Sequence, residues 1–256
     1  MYKQLNIINF LKKSKKFPVL DVRTPDEFNK GHMTGAINFP LFSSSERDII
    51  GKIYKEQGQQ AAILKGLEIS GPRTGDFVNS AKEIARHNEL LLYCWRGGMR
   101  SASLAWLFNV SGIKSAVLSG GYKAYRNYVH EYFKNTFRLV VLGGMTGSGK
   151  TDILFKLKEK GKQVLDLEAI AHHKGSAFGA LGEKEQNSNE QFENDLYSFL
   201  SCFNINNPVW VEDESQNIGK IMIPSPFFTQ ILDADLIYIE TDTDTRINRL
   251  VRGYHY

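Results

Sequence analysis

Residues 139–151 read LVVLGGMTGSGKT and carry the strongest indication of fold in the chain. The apolar run 139–142 is typical of a buried strand, and 144–151 match the phosphate-binding pattern G-x-x-x-x-G-K-[ST] without a mismatch. A helical pattern follows at 152–159. In such a loop the backbone N–H groups surround phosphate oxygens, and Lys150 reaches the outer phosphate. The predicted phosphate-binding residues are Gly144, Gly147, Ser148, Gly149, Lys150 and Thr151.

A second glycine-rich turn occurs earlier, where residues 94–101 read CWRGGMRS. It follows the apolar run 90–93 and precedes a helical pattern that begins near Arg100. Two adjacent glycines let the backbone curl so that its N–H groups point inward, and the next helix presents its positive end. This setting favours a nucleophilic thiolate over an inert buried cysteine. The predicted catalytic residue is Cys94, in an anion loop formed by Arg96, Gly97, Gly98 and Arg100.

The bulk composition is that of an ordinary globular protein. The 256 residues suggest about two domains, and 42% of them are hydrophobic. The net charge of +4 permits an anionic partner such as RNA without requiring one. Two cysteines, Cys94 and Cys202, are too few for a disulfide framework, and no zinc spacing occurs. No apolar run spans a bilayer and the N-terminus lacks signal-peptide features, so we expect a cytoplasmic protein without membrane contact.

Short apolar runs alternate with helical patterns along the whole chain, which predicts an α/β fold with parallel sheets. The strands are expected at 19–22, 36–39, 90–93, 116–118, 139–142, 163–167, 209–212 and 236–239. An aromatic helix over 122–135 is expected to pack its tyrosines and to close the first domain. The predicted domains are 1–135 and 136–256, and the second is expected to be incomplete at its C-terminus because the pattern stops at Tyr256.

Three motifs around the cysteine turn resemble the rhodanese family. They read DVRTPDEF at 21–28, GHMTGAINFP at 31–40 and LSGGY at 118–122. The resemblance implies that Cys94 carries sulfur or selenium as a persulfide-like adduct. Arg100 follows Cys94 by six residues, as in the Cys-x5-Arg loop of dual-specificity phosphatases, whereas five is commoner among rhodaneses. The wider loop suits a phosphate, a selenophosphate or a larger chalcogen, and its length does not choose among them.

A rhodanese-like parallel sheet domain followed by a P-loop NTPase-like parallel sheet domain resembles the tRNA 2-selenouridine synthase family. The blocks LDLE at 165–168, HKGSAFG at 173–179 and VEDES at 211–215 extend the resemblance over nearly the whole chain. It implies an enzyme that replaces the sulfur of wobble 2-thiouridine in tRNA by selenium from selenophosphate, through an S-geranylated intermediate. Geranyl diphosphate would be the prenyl donor. It implies no tightly bound cofactor.

On this reading the P-loop holds the diphosphate of the prenyl donor, and Phe155 and Phe178 are candidates for a prenyl groove or for simple core. A kinase or ATPase would need a strand-end carboxylate for magnesium, and residues 212–214 read EDE. These acids fit that role and that of ordinary solvated residues equally well, and no metal site is predicted. His172 and His173 are candidates for nucleoside contact or for structural roles. Candidate RNA or phosphate contacts are Arg138, Lys156, Lys158, Lys160, Lys162, Lys174, Arg246, Arg249 and Arg252.

Three other functions compete with this one. The chain is alternatively a non-catalytic phosphate- and tRNA-binding remnant, a phosphatase built on the Cys-x5-Arg loop, or a rhodanese sulfurtransferase fused to a kinase-like domain. Selenium incorporation would exclude the non-catalytic remnant. Phosphate release would indicate the phosphatase, and ATP turnover would indicate the kinase-like fusion.

Overall fold

The computed structural model describes residues 2–173 and 184–253, which form two compact units that divide between Tyr128 and Val129. The division lies before the predicted boundary after Asn135 and falls within the aromatic helix. Tyr122 and Tyr125 in that helix are buried, as is Phe133 directly after it, so the predicted packing role is confirmed.

The first unit is a parallel α/β sheet. Its elements are β1 (Lys3–Leu5), α1 (Ile7–Ser14), β2 (Val19–Asp21), α2 (Pro25–Lys30), β3 (Ile37–Asn38), α3 (Ser44–Ser70), α4 (Thr74–Ile84), β4 (Glu89–Tyr93), α5 (Met99–Val110), β5 (Lys114–Leu118) and α6 (Gly121–Tyr132). The strand order is β1-β5-β4-β2-β3, and every pair is parallel. Strand β4 lies in the middle, and four of its five side chains are fully buried, as expected where helices cover both faces.

The second unit repeats this arrangement with fewer strands. Its elements are β6 (Leu139–Gly144), α7 (Lys150–Glu159), β7 (Gln163–Leu165), α8 (Leu167–Ala171), α9 (Asn189–Leu200), β8 (Val209–Glu212), β9 (Asn217–Ile218), β10 (Ile221–Met222), α10 (Ser225–Leu232), β11 (Asp235–Ile239) and α11 (Thr243–Gly253). Four parallel strands lie in the order β11-β6-β8-β7, beside a short antiparallel pair, β9 and β10.

The predicted fold class is therefore confirmed: two α/β units, each built on a parallel sheet. The predicted strands coincide with observed ones to within a few residues, whereas β1, β9 and β10 were not predicted. Over the described ranges, no helix combines the length and the apolar character required to cross a bilayer.

Candidate functional site

Cys94 lies at the carboxyl end of β4, immediately before the turn that leads into α5. Its side chain is 3% exposed, and its Sγ accepts hydrogen bonds from the Gly98 N–H and the Ser101 hydroxyl, each at 3.2 Å. Gly98 is the N-cap of α5, so the sulfur lies at the positive end of that helix. Two donors and a helix N-terminus stabilise negative charge on the sulfur.

The late Gly120-Gly121 turn holds the cysteine loop in place. Gly121 has φ 60°, and a Cβ there would lie 2.3 Å from the Cys94 carbonyl oxygen and 2.4 Å from the Gly97 nitrogen. The next N–H, that of Tyr122, donates to the same Cys94 oxygen at 2.8 Å. The two turns therefore pack backbone against backbone, which explains the glycine at Gly121.

The structure gives Arg100 an acidic partner that was not predicted from the sequence. Arg100 forms a two-pronged ion pair with Glu27, with N–O distances of 2.6 and 3.2 Å, so its charge is neutralised rather than directed at Cys94. Burial alone would raise the pKa of the Glu27 carboxyl, but hydrogen bonding and the charge of Arg100 outweigh burial and lower it. Glu27 also completes the capping box of α2 with Thr24. Arg96 is exposed on the loop.

The first rhodanese-like motif forms a buried scaffold next to this loop. Arg23 is fully buried, bonds Asp21 through Nε at 3.0 Å and donates to the Gly31 carbonyl at 2.7 Å. Its guanidinium lies 3.8 Å from the centroid of the Tyr122 ring. His32 stacks on Phe28 in α2, and this packing is a structural role.

In the second unit, residues 144–149 form a tight loop between β6 and α7. Gly147 and Gly149 have φ 81° and 92°, which favours glycine at both positions. Ser148 is 3% exposed, and its Oγ is a buried atom without a protein partner. These features fit a loop whose backbone encloses an anion.

Lys150, one of the residues expected at a phosphate, contacts an acid at the end of β8. The Lys150 ammonium lies 2.8 Å from the Gly144 carbonyl oxygen and 3.3 Å from Oε1 of Glu212. Thr151 is the second residue of α7 and is exposed. The glutamate is 8% exposed and lies on the strand directly beside the P-loop strand. Glu212 therefore positions the lysine at the loop.

Glu212 also belongs to a group of three carboxylates whose proximity was not predicted from the sequence. The ligand atoms of Glu168, Glu212 and Glu214 lie within 4.8 Å of one another. Burial and the charge of Glu212 raise the pKa of Glu168 to about 8 and that of Glu214 to about 7. The Glu168 carboxyl, with its raised pKa, therefore holds its proton to a higher pH than an exposed glutamate does. Carboxylate oxygens in such a group suit a divalent cation, although no metal site was predicted.

Two arginines of α11 lie over the P-loop. Arg249 donates to the Ser148 carbonyl at 2.6 Å, and Arg246 donates to the Thr146 carbonyl at 3.0 Å. A Cβ on Gly149 would lie 2.8 Å from Arg249 Nη1. Their placement supports the predicted contact with phosphates.

Several other candidates lie elsewhere. Phe155 is 60% exposed on α7, so it does not belong to the core. His172 ends α8 in the left-handed conformation, which gives it a structural role. His173 has a buried Nδ1 without a protein partner. The candidates on the solvent side are Arg138, Lys156, Lys158, Lys160 and Lys162, all exposed. The described residues exclude Lys174, Phe178 and the side chain of Arg252.

Known families match both units. The family described as the rhodanese-like domain matches residues 8–128, and the family described as the tRNA 2-selenouridine synthase AAA domain matches residues 137–256. The two matches together cover both the Cys94 loop and the P-loop.

Curated relatives match nearly the whole chain. A tRNA 2-selenouridine synthase of Bordetella petrii is 41% identical over 93% of this chain and 64% of its own length. The corresponding protein of Nitrosomonas europaea is 37% identical over 93% of this chain and 63% of its own. The chain thus spans less than two thirds of these relatives. A solved rhodanese-related protein of Thermoplasma volcanium shares 20% identity over 50% of this chain and 93% of its own, with a TM-score of 0.33.

Proposed function

The chain belongs to the tRNA 2-selenouridine synthase family, and from that premise we propose that it replaces the sulfur of wobble 2-thiouridine in tRNA by selenium. The observation that carries the proposal is the hydrogen-bonded thiol of Cys94 at a helix N-terminus, in a chain that also holds a P-loop. One loop offers a nucleophile, and the other offers a cationic cradle for a leaving diphosphate.

The first chemical step belongs to the P-loop unit. A thiocarbonyl sulfur leaves poorly, so it must first be alkylated. The sulfur attacks the terminal carbon of geranyl diphosphate, a carbon–sulfur bond forms, the carbon–oxygen bond breaks, and diphosphate departs with the electron pair. Lys150, the loop N–H groups and the arginines of α11 stabilise that charge.

The second step belongs to Cys94. Its thiolate adds at C2 of the prenylated base, the bond from C2 to the prenylated sulfur breaks, and geranylthiolate departs. The selenium of selenophosphate then displaces the Cys94 sulfur from C2, and water cleaves the phosphorus–selenium bond to release phosphate. This route is redox-neutral, whereas selenium bound directly to the Cys94 sulfur would need a reductant before transfer.

The test incubates the protein with 2-thiouridine tRNA, geranyl diphosphate and selenophosphate, and identifies the nucleosides by mass spectrometry. We expect 2-selenouridine with the unchanged chain, and S-geranyl-2-thiouridine without 2-selenouridine with Cys94→Ala. Undiminished 2-selenouridine from Cys94→Ala would contradict the role given to this residue. Release of phosphate from an aryl phosphate, or ATP turnover without modified nucleoside, would favour the phosphatase or kinase-like alternative.

A further inference from the structure

An open apolar groove of about 380 Å³ lies in the first unit, a size typical of small-molecule sites. Two halves of α3 form its walls, because Gly58, with φ 88°, breaks the helix between them. Ile50 and Tyr54 line it from the first half, and Ile63 and Leu67 from the second. Leu67 and Tyr54 remain 60% and 57% exposed, so the groove presents apolar surface to solvent.

The groove adjoins the cysteine loop. Met99 and Arg100 line it, and both belong to the first turn of α5. The N-cap of that turn is Gly98, whose N–H donates to Cys94 Sγ. A hydrocarbon chain in the groove therefore lies next to the helix end that holds the nucleophile.

One rim of the groove is basic. Arg47 and Tyr54 line both the groove and a neighbouring concavity, which also contains Lys52, Lys55 and a single acid, Asp48. An occupant with an apolar end and anionic groups beside it matches this combination of apolar and cationic surface.

We infer that this groove binds the prenyl chain of the S-prenylated nucleoside while the RNA phosphates contact the basic rim. The inference rests on the proposed function and locates one of its substrates. The occupant is the RNA-borne prenyl group, because the step assigned to Cys94 acts on the nucleoside after prenyl transfer. Phe155, in the second unit, was one candidate for a prenyl groove or for simple core, and its side chain is 60% exposed.

The experiment compares two leucines of α3 that are both 60% exposed: Leu67 lines the groove and Leu64 does not. Without selenophosphate, fluorescence anisotropy measures binding of one RNA carrying either S-geranyl- or S-methyl-2-thiouridine. The full chain should bind the geranyl RNA at least about tenfold more tightly, since each buried methylene contributes favourably. Leu67→Glu should lose most of this preference, and Leu64→Glu should keep it. Circular dichroism checks that both variants are folded.

Three results would overturn the inference. In the first, Leu67→Glu and Leu64→Glu change the affinity for geranyl RNA equally. In the second, Leu67→Glu leaves the preference for geranyl RNA intact. In the third, free geranyl diphosphate competes with the geranyl RNA, and this competition depends on Leu67. The last result would assign the groove to the donor. Because binding is measured without turnover, these outcomes are independent of whether 2-selenouridine forms, which tests the proposed function separately.

Discussion

Ser101 is the fully buried hydroxyl that donates to Cys94 Sγ. Removing a hydrogen bond to a charged group costs ~1.5–3 kcal/mol, so Ser101→Ala should slow selenium entry at least about tenfold. Prenylation should be unchanged, because the proposed function assigns this step to the other unit. In a Cys202→Ser background, iodoacetamide should also alkylate Cys94 more slowly.

The matched control for that prediction is Ser111, at the opposite end of α5. Ser111→Ala should alter neither the rate of selenium entry nor the rate of alkylation. If Ser101→Ala and Ser111→Ala behaved alike, the hydroxyl of Ser101 would have no part in holding the thiolate.

Glu168 predicts a pH dependence of stability. Its pKa is raised from 4.5 to about 8 in the folded chain, so the folded state binds the proton more tightly than the unfolded state. The stability it contributes is fully present below pH about 4.5 and is lost as the pH rises through about 8. The melting temperature should therefore fall between pH about 4.5 and about 8, and Glu168→Gln should flatten that fall.

Differential scanning fluorimetry measures the melting temperature across this pH range. The control is Glu159→Gln, at an exposed position of α7. The control should retain the full pH dependence. An equally steep fall in Glu168→Gln would mean that its carboxyl does not hold the proton.

Between elements, the close contact of the Gly120-Gly121 turn with the Cys94 loop can be tested by comparing two glycine substitutions. Gly121 and Gly112 both have positive φ, but a Cβ meets backbone atoms within 2.4 Å at Gly121 and nothing within 4 Å at Gly112. Gly112→Ala should cost ~1–2 kcal/mol from the left-handed backbone. Gly121→Ala adds a clash that displaces the Cys94 loop, so its thermal midpoint should fall further and its selenium entry should be lost. Equal midpoints for the two variants would show that the turns do not need this close approach.

The predictions from the sequence were most accurate for features that a short local pattern determines. The buried strands before Cys94 and before the P-loop, and the glycines that turn the chain after them, are local patterns. The kinked helix α3 was missed, because Gly58 interrupts it and its apolar side chains line a groove instead of one continuous buried face.

Contacts between distant residues could not be predicted in this way. Glu27 and Arg100 are 73 residues apart, and their ion pair depends on how α2 and α5 meet in the folded unit. Likewise, Glu168 meets Glu214 only because β7 pairs with β8, an order that no local pattern reveals. The sequence predicted the charge of Arg100 beside Cys94, but in the structure Arg100 forms an ion pair with Glu27.

At the scale of the whole molecule, both units use the same structural arrangement for different chemistry. In each, a central parallel strand, β4 or β6, ends in a glycine-rich turn that leads into a helix N-terminus. That arrangement concentrates positive backbone dipoles at the carboxyl edge of the sheet. The side chain placed there differs: a thiol in one unit and an ammonium group in the other. On the proposed function, the chemistry therefore divides by unit, with selenium entry in the first and prenyl transfer in the second.

This division predicts that the two steps can be separated by a single substitution. Lys150→Ala removes the cation beside the Gly144 carbonyl, so prenylation of 2-thiouridine RNA should fall about 100-fold or more, as when one preorganised charge-stabilising group is lost. The same variant, given RNA already carrying S-geranyl-2-thiouridine, should form 2-selenouridine at the unchanged rate, since that step uses Cys94. Cys94→Ala should fail with either RNA. Mass spectrometry of the nucleosides distinguishes these patterns, and a Lys150→Ala chain that cannot use the pre-geranylated RNA would show that the P-loop also serves the selenium step.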